Sequence, residues 1–419
     1  MKKFIDSQLS LFNNNKYLIS LDIARIVAVL LILLMHIESG FNSYTGNKLI
    51  NFIYIGPYGV PIFFFISGFL IFRSLERKKQ SIFTFWYNRT AALIPLYYSL
   101  LFIYIVSIFI FSNYLNNFQE VSLSKVISSL FFGFGKMELT YLSASWTMWP
   151  IFVFYTYASL ILIKVPKNYF IRLLIGSALI SGSFLFPGAG LFGEYSLAGV
   201  PEINSWTIGT TSGGILLTCI GNFASILGSY YIFTFLKIFT PIIVKSKFIF
   251  KRDNIFILGL FLLSSFYYFK GSNYFYFSAG AFLFYVFNLK KYSYLLAHFV
   301  VLLICSLISL RNNNYAFLIY FLFIFTPFLE DIALNLNAII KKIINLLSKI
   351  SYSIYLVQIF SIPLFFKISF IFWNKDLVYW KSLIGCLLFT IIISFVVWNI
   401  LEQPLNQIFS SMKKRNINI

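Results

Sequence analysis

The sequence predicts an all-α protein, a polytopic transmembrane bundle of about 10–12 spans with both termini in the cytoplasm. Three observations lead there. Of 419 residues, 59% are hydrophobic and 11% charged, with a mean hydropathy of +0.82, whereas soluble domains carry about 25% charged residues. Apolar runs near the ~20-residue length of a membrane span follow one another almost from end to end. Lysine and arginine gather in alternate connections between those runs, the pattern that orients a multi-pass protein. No polar block is long enough for a separate soluble domain. Residues 1–17 are read as a cytoplasmic tail, 18–405 as one membrane domain and 406–419 as a basic cytoplasmic tail.

In chain order, candidate spans begin near Leu18, Ile53, Ala91, Ala144, Tyr169, Gly214, Asn254, Tyr274, Tyr292, Tyr315, Ile350 and Trp380. With a cytoplasmic N-terminus, the inner connections collect Lys2, Lys3 and Lys16, then Arg73, Arg77, Lys78, Lys79 and Arg89, and later Lys341, Lys342, Lys349, Lys413, Lys414 and Arg415. The outer connections hold few cations. Two of them are long, roughly Ser112 to Ser143 and Pro187 to Gly213. Loops on a rigid scaffold often carry recognition.

The net charge of +20 follows from this placement and suits contact with anionic lipid headgroups; nucleic-acid binding is not expected. The three cysteines lie in apolar segments without metal-ligand spacing, so they read as packing residues, and no metal is expected. The first apolar run carries Asp22, Arg25 and His36 with no small-residue cleavage site after it, unlike a cleaved signal.

That first run holds the main candidate residues. Arg25 and His36 flank ten residues, Ile26 to Met35, none of them polar. At about 100° and 1.5 Å per residue, the two share one helix face about 16 Å apart. Ionisable groups inside a span read as functional by default. His36 has the chemistry of a general base, and Glu38 would hold its tautomer if the helix ended there. The plain alternative is a histidine at headgroup level beside a solvated glutamate. Arg25 is either a structural anchor paired with Asp22 one turn away or a phosphate-binding group. Arg73 and Arg89, at the same membrane face, would converge on that anion. His298, among apolar neighbours, reads as packing.

The next conspicuous run is Gly56-Pro57-Tyr58-Gly59-Val60-Pro61-Ile62-Phe63-Phe64-Phe65-Ile66-Ser67-Gly68-Phe69-Leu70. Small residues there permit close helix approach, and Ser67 lacks the setting of a nucleophile elbow.

Joined in order, Ser20-Leu21-Asp22, the Arg25/His36 pair and the Ser67-Gly68-Phe69-Leu70 run resemble the acyltransferase 3 family of membrane acyltransferases. Further matches are Phe85-Trp86-Tyr87-Asn88-Arg89, Pro95-Leu96-Tyr97-Tyr98, Ser145-Trp146-Thr147-Met148 with Tyr155, and Tyr276-Phe277-Ser278-Ala279-Gly280. Ile350-Ser351-Tyr352-Ser353-Ile354-Tyr355-Leu356 and Glu402-Gln403-Pro404 complete the series. Three positions depart from the family's pattern. Ala92 stands where a second arginine is often found, Ile151 where a glutamate is often found, and Gln358 where a histidine commonly ends the Ser-Tyr-Ser-x-Tyr-Leu motif.

The resemblance implies an O-acyltransferase of the bacterial plasma membrane that moves an acyl group, most often acetyl, from acyl-CoA to a hydroxyl of an envelope or exported polysaccharide or glycolipid. His36 would act as base or relay with Glu38 beside it, and Arg25, Arg73 and Arg89 would hold the CoA phosphates. Ser67 and Trp146 would line the path. The chain leaves no room for the esterase-like domain that some members append. A polysaccharide or lipid-linked sugar transporter is the alternative class, but paired, interrupted spans in two matching halves are not apparent.

Overall fold

Helix α1 (Ile19–Thr45) has its most extensive contact with the helix Ala338–Trp373 and also packs against Gly59–Arg77 and Tyr379–Val397. The computed structural model describes residues 18–45, 55–77, 81–111, 122–135, 139–159, 162, 174–175, 332–373 and 379–417, with a few positions in 276–283 and 326–330. In a largely apolar span a helix satisfies every backbone polar group internally, and the start of α1 is capped from a distant part of the chain. The Ile19 and Ser20 backbone N–H groups donate to the Glu330 carboxylate at 3.3 and 2.8 Å. A carboxylate there satisfies donors that have no partner within the helix and complements its positive end.

A 3₁₀ turn (Gly56–Tyr58) leads into α2 (Gly59–Arg77), which runs back along α1. The close approach depends on Gly59, since a Cβ there would collide with the Ala28 carbonyl and the Ile32 side chain. Helix α3 (Ile82–Phe111) begins at Ser81, whose hydroxyl accepts the Thr84 N–H at 3.1 Å. The short α4 (Leu123–Leu130), a 3₁₀ turn (Phe132–Gly135) and a second one (Ser143–Thr147) precede α5 (Met148–Ser159). Farther along come α6 (Ala338–Trp373), α7 (Tyr379–Val397), a π-helical turn (Trp398–Glu402) and α8 (Gln403–Ile417). Every described element is helical. Among the described residues, five segments are long and apolar enough to cross a membrane: Ile19–Thr45, Gly56–Leu75, Ile82–Phe109, Ala338–Phe372 and Tyr379–Met412.

Side-chain contacts give the directions. Helices α1 and α6 run parallel, joined by Arg25 and Ser348 at one end and by the Phe41 and Phe366 rings at the other. Helix α7 returns along α6, with Ser361 against Thr390 and Ser353 against Glu402. Helix α3 runs with α6, as Tyr352 reaches the Leu93 carbonyl and Tyr104 faces the Phe360 ring. The buried face of α1 (Val29, Ile32, Leu33, Ile37 and Phe41) lies in a core that also holds Tyr97 and Leu100 of α3 and Ile354 and Leu356 of α6. Gly280 is another contact point, where a Cβ would collide with the Phe65 carbonyl of α2.

Two helices begin earlier than the expected spans. Helix α3 starts at Ile82 where a span was expected near Ala91, and α6 at Ala338 where one was expected near Ile350. Hydropathy marks the part of a helix in hydrocarbon, whereas backbone hydrogen bonding continues past it. The first turn of α6 is held by Asn337, whose side-chain carbonyl accepts the Ile339 N–H at 3.1 Å. The Ser112–Ser143 connection, expected as a long outer connection, carries α4 and the Phe132–Gly135 3₁₀ turn, and the second 3₁₀ turn begins at its end. The expected spans near Tyr169, Gly214, Asn254 and Tyr292, most of those near Tyr274 and Tyr315, the Pro187–Gly213 connection and His298 lie outside the described residues.

Candidate active site

A cavity of about 320 Å³ opens between α1, α2, α3, α5, α6 and the π turn. Helical periodicity explains which residues reach it, because positions three, four and seven apart share a face. From α2 come Val60, Phe63, Phe64 and Ser67; from α6, Ser348, Ser351, Tyr352 and Tyr355. Helix α3 contributes Arg89, Ala92 and Leu93, and the segment opening α5 contributes Thr147, Met148, Ile151 and Tyr155. Arg25 and Ile32 represent α1, seven residues apart on the stripe that continues one turn later to His36.

One end of the cavity is charged. Arg25 lies 3.5 Å from the Asp22 carboxylate and donates to the Ser348 hydroxyl at 3.0 Å, and that hydroxyl donates on to Asp22 at 2.6 Å. The Arg89 guanidinium lies over the Phe85 and Tyr155 rings, 5.6 and 5.8 Å from their centroids, within cation–π range. Lys349 and Glu402 complete this end. Glu402 is buried and accepts a short hydrogen bond from the Ser353 hydroxyl. The π turn, a feature that recurs at functional sites, carries Glu402 to the cavity wall from the end of α7.

The other end is aromatic. The Tyr355 hydroxyl donates to the Ala144 carbonyl at 2.7 Å and lies 3.0 Å from the Thr147 hydroxyl. The Phe63 ring sits 6.2 Å from that of Tyr355. Tyr352 donates to the Leu93 carbonyl at 2.9 Å, tying α6 to α3 halfway along. The cavity thus gathers its cations at one end and has the Phe63 and Tyr355 rings toward the other.

Of the residues singled out in the sequence, Arg25, Arg89 and Ser67 meet in this cavity. His36 is half-buried one turn beyond Ile32, past the lining residues. Trp146 belongs to the 3₁₀ turn whose next residue, Thr147, lines the wall, but is not itself part of it. Arg73 is buried at the same end of the bundle without reaching the cavity. Glu38 does not pair with His36 through a helix end. Helix α1 continues to Thr45, and two residues along a helix turn it by about 200°, so the carboxylate leaves on the far side.

Lys349, Glu402, Tyr352 and Tyr355 went unassigned in the sequence. Lys349 read as an orientation charge and the others as motif members. The signal was the spacing of Ser348, Ser351, Tyr352 and Tyr355, a polar stripe along an otherwise apolar helix. Among the described residues, no group of three or more His, Cys, Asp or Glu side chains is placed to hold a metal ion.

No curated protein and no solved structure matches the chain. A family model described as an acyltransferase domain matches residues 18–399, from the first turn of α1 to the π turn after α7, and so takes in every wall of the cavity except Glu402. The chain therefore belongs to the acyltransferase 3 family, and it is a membrane acyltransferase that transfers groups other than amino-acyl groups.

Proposed function

We propose that the protein transfers an acyl group, acetyl by preference, from acyl-CoA to a hydroxyl of a polysaccharide or glycolipid at the bacterial plasma membrane. The supporting observation is a cavity with Arg25, Arg89 and Lys349 at one end that follows the α1 stripe toward His36. The cations suit the phosphates of the donor. The largely apolar lining beyond the cations suits a thioester arm, and the distance of about 16 Å along α1 from Arg25 to His36 is comparable to its extended length. Arg73 and Trp146 stand outside the cavity wall, and the continuation of α1 past Glu38 leaves that carboxylate on the side away from His36.

In this reading the mouth is cytoplasmic, as the distribution of lysine and arginine also favours. His36 takes the proton from an acceptor hydroxyl as its oxygen attacks the thioester carbonyl. The C–S bond breaks, the C–O ester bond forms, and the proton passes to the departing CoA thiolate.

The test compares envelope polysaccharide from cells carrying the intact protein and the His36→Ala variant, by mass spectrometry before and after mild base. A base-labile mass increment present only with His36 is the expected result, and its size names the acyl group. Equal acylation in both removes His36 from the mechanism. An unmodified polysaccharide that fails to reach the surface in the variant favours transport instead.

A further inference from the structure

Beside the cavity mouth lies a second, more open depression of about 380 Å³. It shares Lys349 and Glu402 with the cavity and is otherwise lined by Trp398, Gln403, Asn406, Gln407 and Ser410. Four of these stand at i, i+3, i+4 and i+7 on α8, so they form one polar stripe. Asn406, Gln407 and Ser410 are exposed and Trp398 is half-buried. The amides of Gln403, Asn406 and Gln407 have no hydrogen-bond partner among the described residues.

We infer that this depression is the binding subsite for the adenine nucleotide end of the donor, an inference that rests on the acyl-CoA reading above. The cavity, at about 320 Å³, is at the small end of the range for ligand sites, roughly 300–1,000 Å³. A thioester arm fills it, so the bulky nucleotide lies outside the mouth. The depression is contiguous with that mouth, and its chemistry is that of a base reader. An Asn or Gln side chain offers one acceptor and two donors, the complement of an adenine edge carrying an acceptor nitrogen beside an amine. The Trp398 indole supplies an apolar face for stacking. Lys349, at the junction, is placed for the phosphates that link the two halves. The face of α8 thus selects a nucleotide-tagged donor over a bare thioester.

The experiment titrates coenzyme A and phosphopantetheine, separately, into the purified full chain in lipid nanodiscs. It uses the intact protein, the Asn406→Leu/Gln407→Leu double variant and a control, Ser411→Leu, on the same helix outside the depression. All three positions are exposed, so packing is preserved. The expected result is about tenfold or greater weakening of coenzyme A in the double variant, with phosphopantetheine unchanged and the control equal to the intact protein. Unaltered coenzyme A affinity, or equal weakening of both ligands, overturns the subsite. Failure of the intact protein to bind either ligand overturns the donor reading itself, an outcome distinct from both.

Discussion

Replacing Arg25 with alanine tests the cationic mouth most directly. Two opposite charges 4 Å apart at an effective dielectric of about 20 attract by about 4 kcal/mol. Part of that is already spoken for, because Arg25 faces Asp22 at 3.5 Å and binds Ser348 at 3.0 Å in the free protein. The net value of a hydrogen bond to a charged group is about 1.5–3 kcal/mol. At about 1.4 kcal/mol per factor of ten, the expected weakening of coenzyme A is about 10- to 150-fold. Binding is not abolished, since Arg89 and Lys349 remain at the same end. Arg25→Lys keeps the charge but loses the planar guanidinium that can meet two phosphate oxygens at once, so it falls between the two. Titration into nanodisc-embedded protein at two salt concentrations measures this, and the alanine variant should show the shallower salt dependence. Wild-type affinity in Arg25→Ala, with the protein inserted and folded, would refute the assignment of the mouth to phosphate.

Two further substitutions probe the frame that holds the cavity open. Gly280→Ala places a methyl group against the Phe65 carbonyl and 2.9 Å from the Phe69 backbone nitrogen. Backbone cannot yield as a side-chain tip does, so a cost of about 1–3 kcal/mol should appear as a lower melting temperature in detergent; an unchanged melting temperature would show that this contact is slack. Glu330→Gln keeps an oxygen for the Ile19 or Ser20 N–H but removes the negative charge at the start of α1. About 0.5–2 kcal/mol of stability should be lost, with faster amide hydrogen exchange confined to the first turn of α1, and equal exchange rates would refute the capping role.

What could be read in the sequence depended on range. The Arg25–His36 stripe and the placement of Arg89 follow from helical repeat and charge distribution, both local properties, and the structure puts Arg25 and Arg89 in one wall. Glu38 shows the limit of local reading. Its proposed contact with His36 required a helix end, and nothing nearby in sequence says that α1 runs on to Thr45, packed against Phe366 and Tyr379. Lys349 and Glu402 reach the cavity from helices more than 300 residues along the chain from Arg25. Their sites are set by the parallel packing of α6 on α1 and by the π turn, neither of which has a local signature. Glu330 capping α1 across 310 residues is the same kind of fact.

The three departures from the family's pattern divide once the cavity is known. Gln358 is buried outside the wall, with its amide donating to the Tyr355 carbonyl at 3.0 Å. Ala92 and Ile151, from α3 and α5, both line the cavity. Where the family pattern set out in the sequence analysis has an arginine and a glutamate, this chain has two apolar residues facing one space. Exchanging a buried ion pair for apolar groups is often neutral or stabilising, whereas removing one partner alone costs about 3–5 kcal/mol. We propose that the two departures are a single compensated change. Restoring charge one side at a time should be harmful. Ala92→Arg adds a cation to a cavity that already holds Arg25, Arg89 and Lys349, and Ile151→Glu places an anion on its apolar wall. Each single variant should lower the melting temperature, and the double variant should recover part of the loss, with a coupling of about 0.5–3 kcal/mol. Melting curves of the four proteins in one detergent complete the cycle. Simple additivity would mean that the two positions are independent and that the paired-loss argument is wrong.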